Sequence, residues 1–572
     1  MAKMPAVRTQ YERGTLDGLA ADTRTVAIGI LASRITGFGR VAVMGAVFGP
    51  TYFGNLFQFS STLPVTVYSF LMGVLMSAFL VPPLVRCIQG NDVAAVRRFA
   101  NAALGSITAV LTVAGIVALL GLPLLLGAVT FGIEDPLVRD RYLVLGVALA
   151  LMQMPQIVLY GVVGTGVAVQ QAYGRFALAA AAPAIENIGI ITVLAISAAT
   201  FGRGVDVESV GSGQIMLLGL GTTAAVAAHA GVQWWGAYRL GVALVPRPGD
   251  WSETEVRTIL RQGSSLIGYA GSYWAAFLVA LVSAGSVPGG LIAFQMAANL
   301  CNFPVTLTAV PLAAAQLPRL SGSHHHDRLA DFRRTYWAGL RLLIFFALPA
   351  SVLFAFVPHT LACALAFGEM RGPTGTALLA ASIGGLGIGI VGDAAMTLMT
   401  SSCYARNDKS APQRAMLLRL IVIGTGVVLA RWTLAGPELL WALGAAVSAG
   451  NILAGAYLHA GLRRALGATE LPGALGIGQI AITAAALVPT VVVANWIAAD
   501  DASAFRTIGG TIGALAASGI VYLVLHCLRG SLELELLFPM IGRLPLFGWF
   551  SAGHAYTTSS RPREAEQPMD EG

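Results

Sequence analysis

The sequence predicts an all-α polytopic membrane protein of about fourteen transmembrane helices, arranged as two parallel six-helix halves followed by two C-terminal helices. Three observations carry this. Of 572 residues, 56% are hydrophobic and only 11% charged, where a soluble globular chain carries about 25% charged residues. Mean hydropathy is +0.73. Apolar runs long enough to span a bilayer recur along the chain, and the arginines between them alternate in density. So few charges cannot cover a soluble surface of this size, which excludes a soluble enzyme, a disordered chain and a coiled coil.

Breaks at charged, Pro and Gly positions delimit the runs at 26–49, 53–85, 102–131, 142–170, 176–200, 211–238, 264–286, 288–317, 336–357, 376–404, 415–434, 438–461, 473–498 and 505–527. The second run is long enough for a tilted or broken helix. With the N-terminus inside, one set of loops carries Arg86, Arg97, Arg98, Arg175, Arg239, Arg247, Arg257, Arg261, Arg319, Arg328, Arg333, Arg334, Arg406, Lys409, Arg414, Arg463 and Arg464. The opposite loops carry Arg139, Arg141, Arg203, Arg371 and Arg506, with Arg431 at a border. This asymmetry places both termini in the cytoplasm. The net charge of +7 therefore reflects topology. No basic, aromatic-interleaved patch points to nucleic acid.

Residues 1–25 read as a polar cytoplasmic segment without the short apolar core and cleavage site of a signal peptide. Residues 26–238 form a first six-helix half, 239–263 a cytoplasmic linker, 264–464 a second half, and 465–528 two additional helices. A short internal repeat supports the halves. Pro64-Val65-Thr66 in the second run is matched by Pro304-Val305-Thr306 in the eighth. An even number of spans between copies gives them the same orientation, a transporter architecture. Within the tail 529–572, Ser531–Phe550 reads as an interfacial helix and the remainder as disordered. The five cysteines are scattered without a CxxC pair, so neither a disulfide framework nor a zinc site is expected.

Charges inside the spans are the candidate site. Arg34 and Arg40 lie in the first run, in Ser33-Arg34-Ile35-Thr36-Gly37-Phe38-Gly39-Arg40. An intramembrane arginine is costly unless it faces a cavity or a partner, and its planar fork suits phosphate; the alternative is snorkelling to the interface. Six residues on a helix are about 120° apart, so the two share a face only loosely unless Gly37 and Gly39 bend the helix. Glu186 in the fifth run needs a partner or a proton. It would pair with an arginine, bind a coupling cation, carry a proton, or serve only structure. Asp393 follows a glycine-rich stretch in the tenth run. Its literal GxGxxG at 387–392 lies in a membrane helix and reads as close packing or bending, not dinucleotide binding. His229 reads as a hydrogen-bonded structural residue, and His324-His325-His326-Asp327 as a solvated loop. No nucleophile–base constellation, phosphate loop or catalytic carboxylate pair is present, so an enzyme is not expected.

These residues resemble a family. Ser33 through Arg40, followed by Phe48-Gly49, is similar to the first-helix signature of the MurJ/MviN lipid II flippases, roughly SRxxGFxRD…FG. Pro183 through Asn187 resembles that family's Pro-x-x-x-Asn stretch. Phe303-Pro304 through Leu317-Pro318-Arg319-Leu320-Ser321 resembles its eighth-helix stretch. Tyr404-Ala405-Arg406-Asn407-Asp408 with Pro412 resembles its YAxGDTxTP loop. The matches run in order from residue 26 to about 464.

The resemblance implies an alternating-access exporter in a bacterial inner membrane that flips a lipid-linked oligosaccharide. It implies no cofactor, coupling to membrane potential, Na+ or H+, and membrane lipids and cell-envelope synthesis proteins as partners. It implies that Arg34, Arg40, Asn187, Asn299 and Asn302 bind substrate, with Glu186 and Asp393 as ion-coupling or cavity charges. Three places depart from the pattern. Thr51–Val85 holds no charge, the acidic–Arg pair of the eighth helix reads Ala298-Asn299, and Val41 follows Arg40 where Asp is usual. Either the substrate carries less negative charge or other helices supply positive charge. Two other readings are a cation antiporter of the same superfamily and a transport-inactive scaffold in cell-envelope biogenesis.

Overall fold

In a computed structural model, the described residues are 16–72, 80–248, 253–325, 328–467, 474–485, 487 and 504–528. They form helices and no strands. Water is absent from a bilayer core, so each span must satisfy its own backbone, and the helix is the form that does so in one segment. The elements are α1 (Leu16–Phe48), α2 (Tyr52–Met72), α3 (Val81–Gln89), α4 (Val93–Thr130), α5 (Pro136–Gln153), α6 (Pro155–Ala172), α7 (Ala177–Ala181), α8 (Pro183–Phe201) and α9 (Ser212–Arg239). They continue with α10 (Glu253–Ala284), α11 (Gly290–His325), α12 (Leu329–Phe356), α13 (Pro358–Leu365), α14 (Pro373–Gly387), α15 (Ile390–Ala405), α16 (Ser410–Thr433), α17 (Gly436–Ala465), α18 (Ala474–Ala485) and α19 (Ala504–Leu528).

Among the described residues, ten helical segments are long and apolar enough to cross a membrane, and the bent pair α14–α15 makes an eleventh. The three remaining apolar runs of the sequence, 53–85, 264–286 and 473–498, fall on α2–α3, α10 and α18, which adjoin positions outside the described set. The interfacial helix expected at Ser531–Phe550 lies outside the described residues, as do His326 and Asp327 of the histidine run.

Several spans are bent or broken at prolines and glycines that the sequence displays. The run 142–170 divides into α5 and α6 at Met154-Pro155, and 176–200 divides into α7 and α8 at Ala182-Pro183. A proline lacks the N–H for the helical ladder and crowds the preceding turn. The α14–α15 break bends the chain by 43°. Its unpaired carbonyls are met from neighbouring helices. Ser351 Oγ of α12 donates to Gly387 O at 2.6 Å, and Ser448 Oγ of α17 donates to Gly385 O at 2.6 Å. The glycine run is what allows this approach: a Cβ on Gly385 would stand 2.2 Å from the Trp441 carbonyl oxygen, and one on Gly389 would stand 2.5 Å from Ser448 Cα. The GxGxxG stretch is thus a bend and a packing surface that sets Asp393 in the first turn of α15.

The loops divide into an arginine-rich end and an arginine-poor end. At the arginine-poor end, the α1–α9 and α10–α17 portions are fastened together. Asn55 of α2 is fully buried and donates from Nδ2 to Gly285 O at 3.0 Å and Val287 O at 2.6 Å. It also accepts the Leu291 N–H at 3.0 Å. Tyr52 OH donates to Ser286 O at 3.4 Å. Gly289, at φ +70°, lies so close to Pro50 that any Cβ would overlap its Cα. Arg431 donates to the Phe131 carbonyl and lies over the Phe131 ring. α1 meets α11 where a Cβ on Gly45 would be 3.0 Å from Met296 Sδ. Farther toward the arginine-rich end both helices expose apolar side chains, Ile28, Leu31 and Ile35 on α1 and Leu307 and Val310 on α11.

Substituting Asn55→Leu keeps the number and branching of side-chain heavy atoms, leaves the Gly285 carbonyl and the Leu291 N–H without the Asn55 partner, at about 1–3 kcal/mol each, and leaves Val287 O with the Gly290 N–H alone. Thermal unfolding in detergent is expected several degrees below the parent. An unchanged unfolding temperature would show that this fastening contributes nothing.

Candidate functional site

α1 runs unbroken through Gly37 and Gly39, so its two arginines diverge as an ideal helix requires. Arg40 turns toward α8. Its guanidinium lies 3.7 Å from Glu186 Oε1, and its side chain is 31% exposed against 10% for Glu186. Arg34 is exposed and has no ion pair among the described residues. Between them, the Asn187 amide donates to Ser33 O at 3.3 Å and Thr36 Oγ1 at 3.2 Å, pinning α8 against α1.

Glu186 collects two further partners, one from α6 and one from α9. Tyr160 OH of α6 donates to Oε1 at 2.9 Å. His229 Nδ1 of α9 lies 2.8 Å from Oε2, and its Nε2 has no hydrogen-bond partner among the described residues. Tyr68 of α2 stacks on Tyr160 with ring centroids 5.5 Å apart, so the chargeless second span contributes an aromatic wall here. His229 is hydrogen-bonded, as expected of a histidine in an apolar run, and its partner is the Glu186 carboxylate. What the sequence could not supply is that Arg40, Tyr160 and His229 converge on one carboxylate.

A second polar cluster stands in α10–α17, around a residue the sequence reading passed over. Arg419 of α16 is 3% exposed. Its Nε donates to Asn451 Oδ1 of α17 at 2.6 Å, and NH1 donates to the Tyr273 carbonyl of α10 at 3.3 Å. Its guanidinium also lies 4.7 Å from the Tyr273 ring centroid. Asp393 is half-buried and forms no ion pair among the described residues. Arg419 was findable by the rule that singled out Arg34, since both are arginines inside an apolar run.

The two clusters have the same construction. Arg40, Glu186 and His229 come from α1, α8 and α9. Tyr273, Arg419 and Asn451 come from α10, α16 and α17. Glu186, His229, Arg419 and Asn451 stand fourteen to seventeen residues from the arginine-poor ends of their helices, or roughly 21–26 Å at 1.5 Å per residue. The central residue is an anion in one cluster and a cation in the other.

The remaining expected residues are not gathered in. Asn299 accepts from Gln295 on its own helix at 3.4 Å, and exposed Asn302 accepts from Thr306. Neither bonds to the Glu186 cluster. The loop after α15 has a structural explanation: Asn407 adopts φ +58°, and Asp408 accepts from the Ser410 and Ala411 N–H groups at 3.1 Å, opening α16. These contacts, set against the burial penalty, hold its carboxyl below the usual range. Among the described residues no group of three or more His, Cys, Asp or Glu side chains is placed to hold a metal ion.

The geometry is that of charges held mid-span in a helical bundle, and comparison with known proteins places it. A model of the family described as lipid II flippase MurJ matches residues 44–503. The chain belongs to the MurJ lipid II flippase family. This is a family of transporters, not enzymes. The chain is 24% identical over 420 residues to the lipid II flippase MurJ of Burkholderia cenocepacia, covering 70% of this chain and 75% of that protein. It is 20% identical over 403 residues to the probable lipid II flippase MurJ of Buchnera aphidicola, with the same shares covered. A solved MurJ in an inward closed conformation superposes with a TM-score of 0.69 at 15% identity, over 88% of this chain and 98% of that one. An inward-facing multidrug resistance MATE transporter of the MOP superfamily gives 0.59 at 15% identity, over 77% and 96%. These superpositions establish a MurJ- and MATE-like fold. The chain is a multi-pass membrane protein of a bacterial family.

Because Glu186 and His229 share one bond, their losses should not add. Glu186→Ala and His229→Ala are each expected to lower the unfolding temperature, and the double variant to lower it by clearly less than the sum, a coupling of about 1–3 kcal/mol for contacting residues. Additive shifts would mean that the two act independently.

Proposed function

We propose that this protein is a flippase that moves a polyprenyl-linked sugar, a lipid II-like peptidoglycan precursor or a related lipid-linked oligosaccharide, from the cytoplasmic to the outer leaflet by alternating access. The observation that carries the reading is a pair of arginines deep in the first span, one exposed and one tethered to Glu186. Arginine facing lipid is expensive, so such a pair implies a polar space that receives an anion. In this reading Arg34 and Arg40 bind the phosphate region, while Asn187, Asn299 and Asn302 offer hydrogen bonds to sugar. Glu186 sets the direction of Arg40. The prenyl tail stays in the bilayer beside α18 and α19.

The fold reading that goes with this has fourteen spans, two parallel six-helix halves over 26–238 and 264–464, and two added helices over 465–528. The recurring three-helix clusters support it, as do Pro64 and Pro304 inside equivalent helices. The arginine-rich loops face the cytoplasm, with both termini and the linker 239–263 on that side. With the arginine-poor end fastened by Asn55, the two halves would rock open toward the cytoplasm first. Coupling to membrane potential, Na+ or H+ would act through Glu186 or Asp393.

A cation antiporter is the competing reading, favoured by Asp393, which is half-buried without an ion pair. Arg34→Ala is expected to abolish transport with protein level unchanged, and depletion of the protein to accumulate the lipid-linked intermediate in mass analysis. Full activity of Arg34→Ala together with complete loss in Asp393→Asn would transfer the assignment to the antiporter. Tolerance of both would point to a scaffold.

A further inference from the structure

The three partners of Glu186 are not equivalent. Tyr160 donates to Oε1 at 2.9 Å, Arg40 lies 3.7 Å from the same oxygen, and His229 Nδ1 lies 2.8 Å from Oε2. An ionised carboxylate only accepts, so Nδ1–H donates, and the second ring nitrogen keeps its lone pair for one more proton. His229 is 4% exposed, and that nitrogen, Nε2, has no hydrogen-bond partner among the described residues. A proton added there breaks none of the bonds that hold Glu186.

Arg40 is the loosest and outermost partner. Its distance exceeds that of a direct hydrogen bond, and its side chain is 31% exposed against 5% for His229. It is also the partner that the flippase reading needs at the phosphate. The two demands conflict, because a buried carboxylate stripped of its cation is strongly destabilising. Arg40 can turn to a phosphate only if another cation takes its place at Glu186. His229, already bonded to the other carboxylate oxygen, is placed to become that cation.

We propose, resting on the flippase reading, that Glu186 and His229 form a proton-binding site linked to the lipid anion. As a phosphate engages Arg40, one proton from the aqueous phase adds to His229 Nε2, and the imidazolium replaces the guanidinium as the counter-charge of Glu186. One N–H bond forms, and the carboxylate keeps its charge and its hydrogen bonds. Arg40 then serves the anion, and the proton serves Glu186. By linkage, each ligand tightens the binding of the other by the same factor.

The surroundings leave this role to His229. From α8 it meets Glu186, and from α6 the nearest titratable group is Tyr160, with Tyr68 of α2 stacked on it. Arg40 comes from α1 to the far carboxylate oxygen. Arg139, Asp140, Arg141 and Tyr142 of α5 lie in its first two turns, at the arginine-poor end, and α7 holds no titratable side chain. On α9 itself, Tyr238 and Arg239 lie more than two turns away. The remaining polar side chains between α6 and α9 are uncharged and bonded to one another: Gln170 Nε2 donates to Gln233 Oε1 at 2.6 Å, and Gln156 Nε2 to Thr223 Oγ1 at 2.9 Å.

The experiment titrates the purified full-length protein in detergent with a geranylgeranyl lipid joined to N-acetylglucosamine through a diphosphate. Both phosphates are diesters and stay ionised throughout. Calorimetry at about pH 6 to about pH 8, the range in which histidine changes charge, gives the affinity. Repeating it in two buffers of different ionisation enthalpy gives the protons taken up per lipid bound. In the parent, binding is expected to weaken by about fivefold or more from the acid to the alkaline end, with net proton uptake. His229→Gln, whose amide still donates to Oε2, is expected to bind equally at each pH and to take up no proton. Glu186→Gln, which removes the charge that needs a cation, is expected to lose the uptake as well and gives a second reading if His229→Gln does not fold. A flat profile without uptake in the parent would overturn the proton site and leave the flippase reading in place. Uptake retained in either variant would place the proton elsewhere and overturn it too. Failure of the parent to bind the lipid at any pH would also overturn it, and with Arg34→Ala fully active in cells would remove the flippase reading itself.

Discussion

A carboxylate in the middle of a membrane span cannot stand alone, and the first part of this structure is organised by that constraint. Glu186 is held by Arg40 from α1, Tyr160 from α6 and His229 from α9. Each partner fixes the rotation of its helix, since a turn of one residue would move its side chain by about 100° and leave the charge unpaired. Asn187, one residue on, ties the same turn of α8 to Ser33 and Thr36. The helix carrying the arginines is thus oriented by bonds made mid-span, where water does not compete and each polar contact counts for more.

The α10–α17 part solves the same problem with the opposite sign. Arg419 sits where a cation must be satisfied by dipoles and a ring face, and Asn451 and Tyr273 provide them. The break between α14 and α15 belongs to the same economy of backbone bonds. Bending a helix at glycines frees carbonyls that lipid cannot solvate, and Ser351 and Ser448 meet them from adjacent helices. Function in this family of transporters requires elements that can rearrange.

The charge distribution separates this chain from the pattern its signature residues suggest. The second span contributes Tyr68 and Asn55, an aromatic wall and a fastening, where the resembled pattern places charges. Ala298 and Asn299 likewise leave the eighth span uncharged. Arg419 compensates in number but not in availability, because its guanidinium is already committed to Asn451 and Tyr273.

The sequence by itself determined the all-α membrane architecture, the positions of the apolar runs, the alternation of arginine between loops and the signature residues of the first helix. These are properties of composition and period along one dimension, and the bilayer converts them directly into spans. It also determined that Arg34, Arg40, Glu186 and Asp393 are costly where they stand. Only the tertiary structure decided which of them meet. Arg40 and Glu186 are joined across 146 positions of chain, while Arg34, six residues from Arg40, has no ion pair among the described residues. The rotation of α1 against α8 makes that choice, and no local pattern encodes it. The same holds for His229, which reads as an ordinary apolar-run histidine until α9 packs on α8, and for Arg419, whose partners lie on two other helices. Pairing in a membrane is decided by which helix faces touch, and that information is spread over every contact in the bundle.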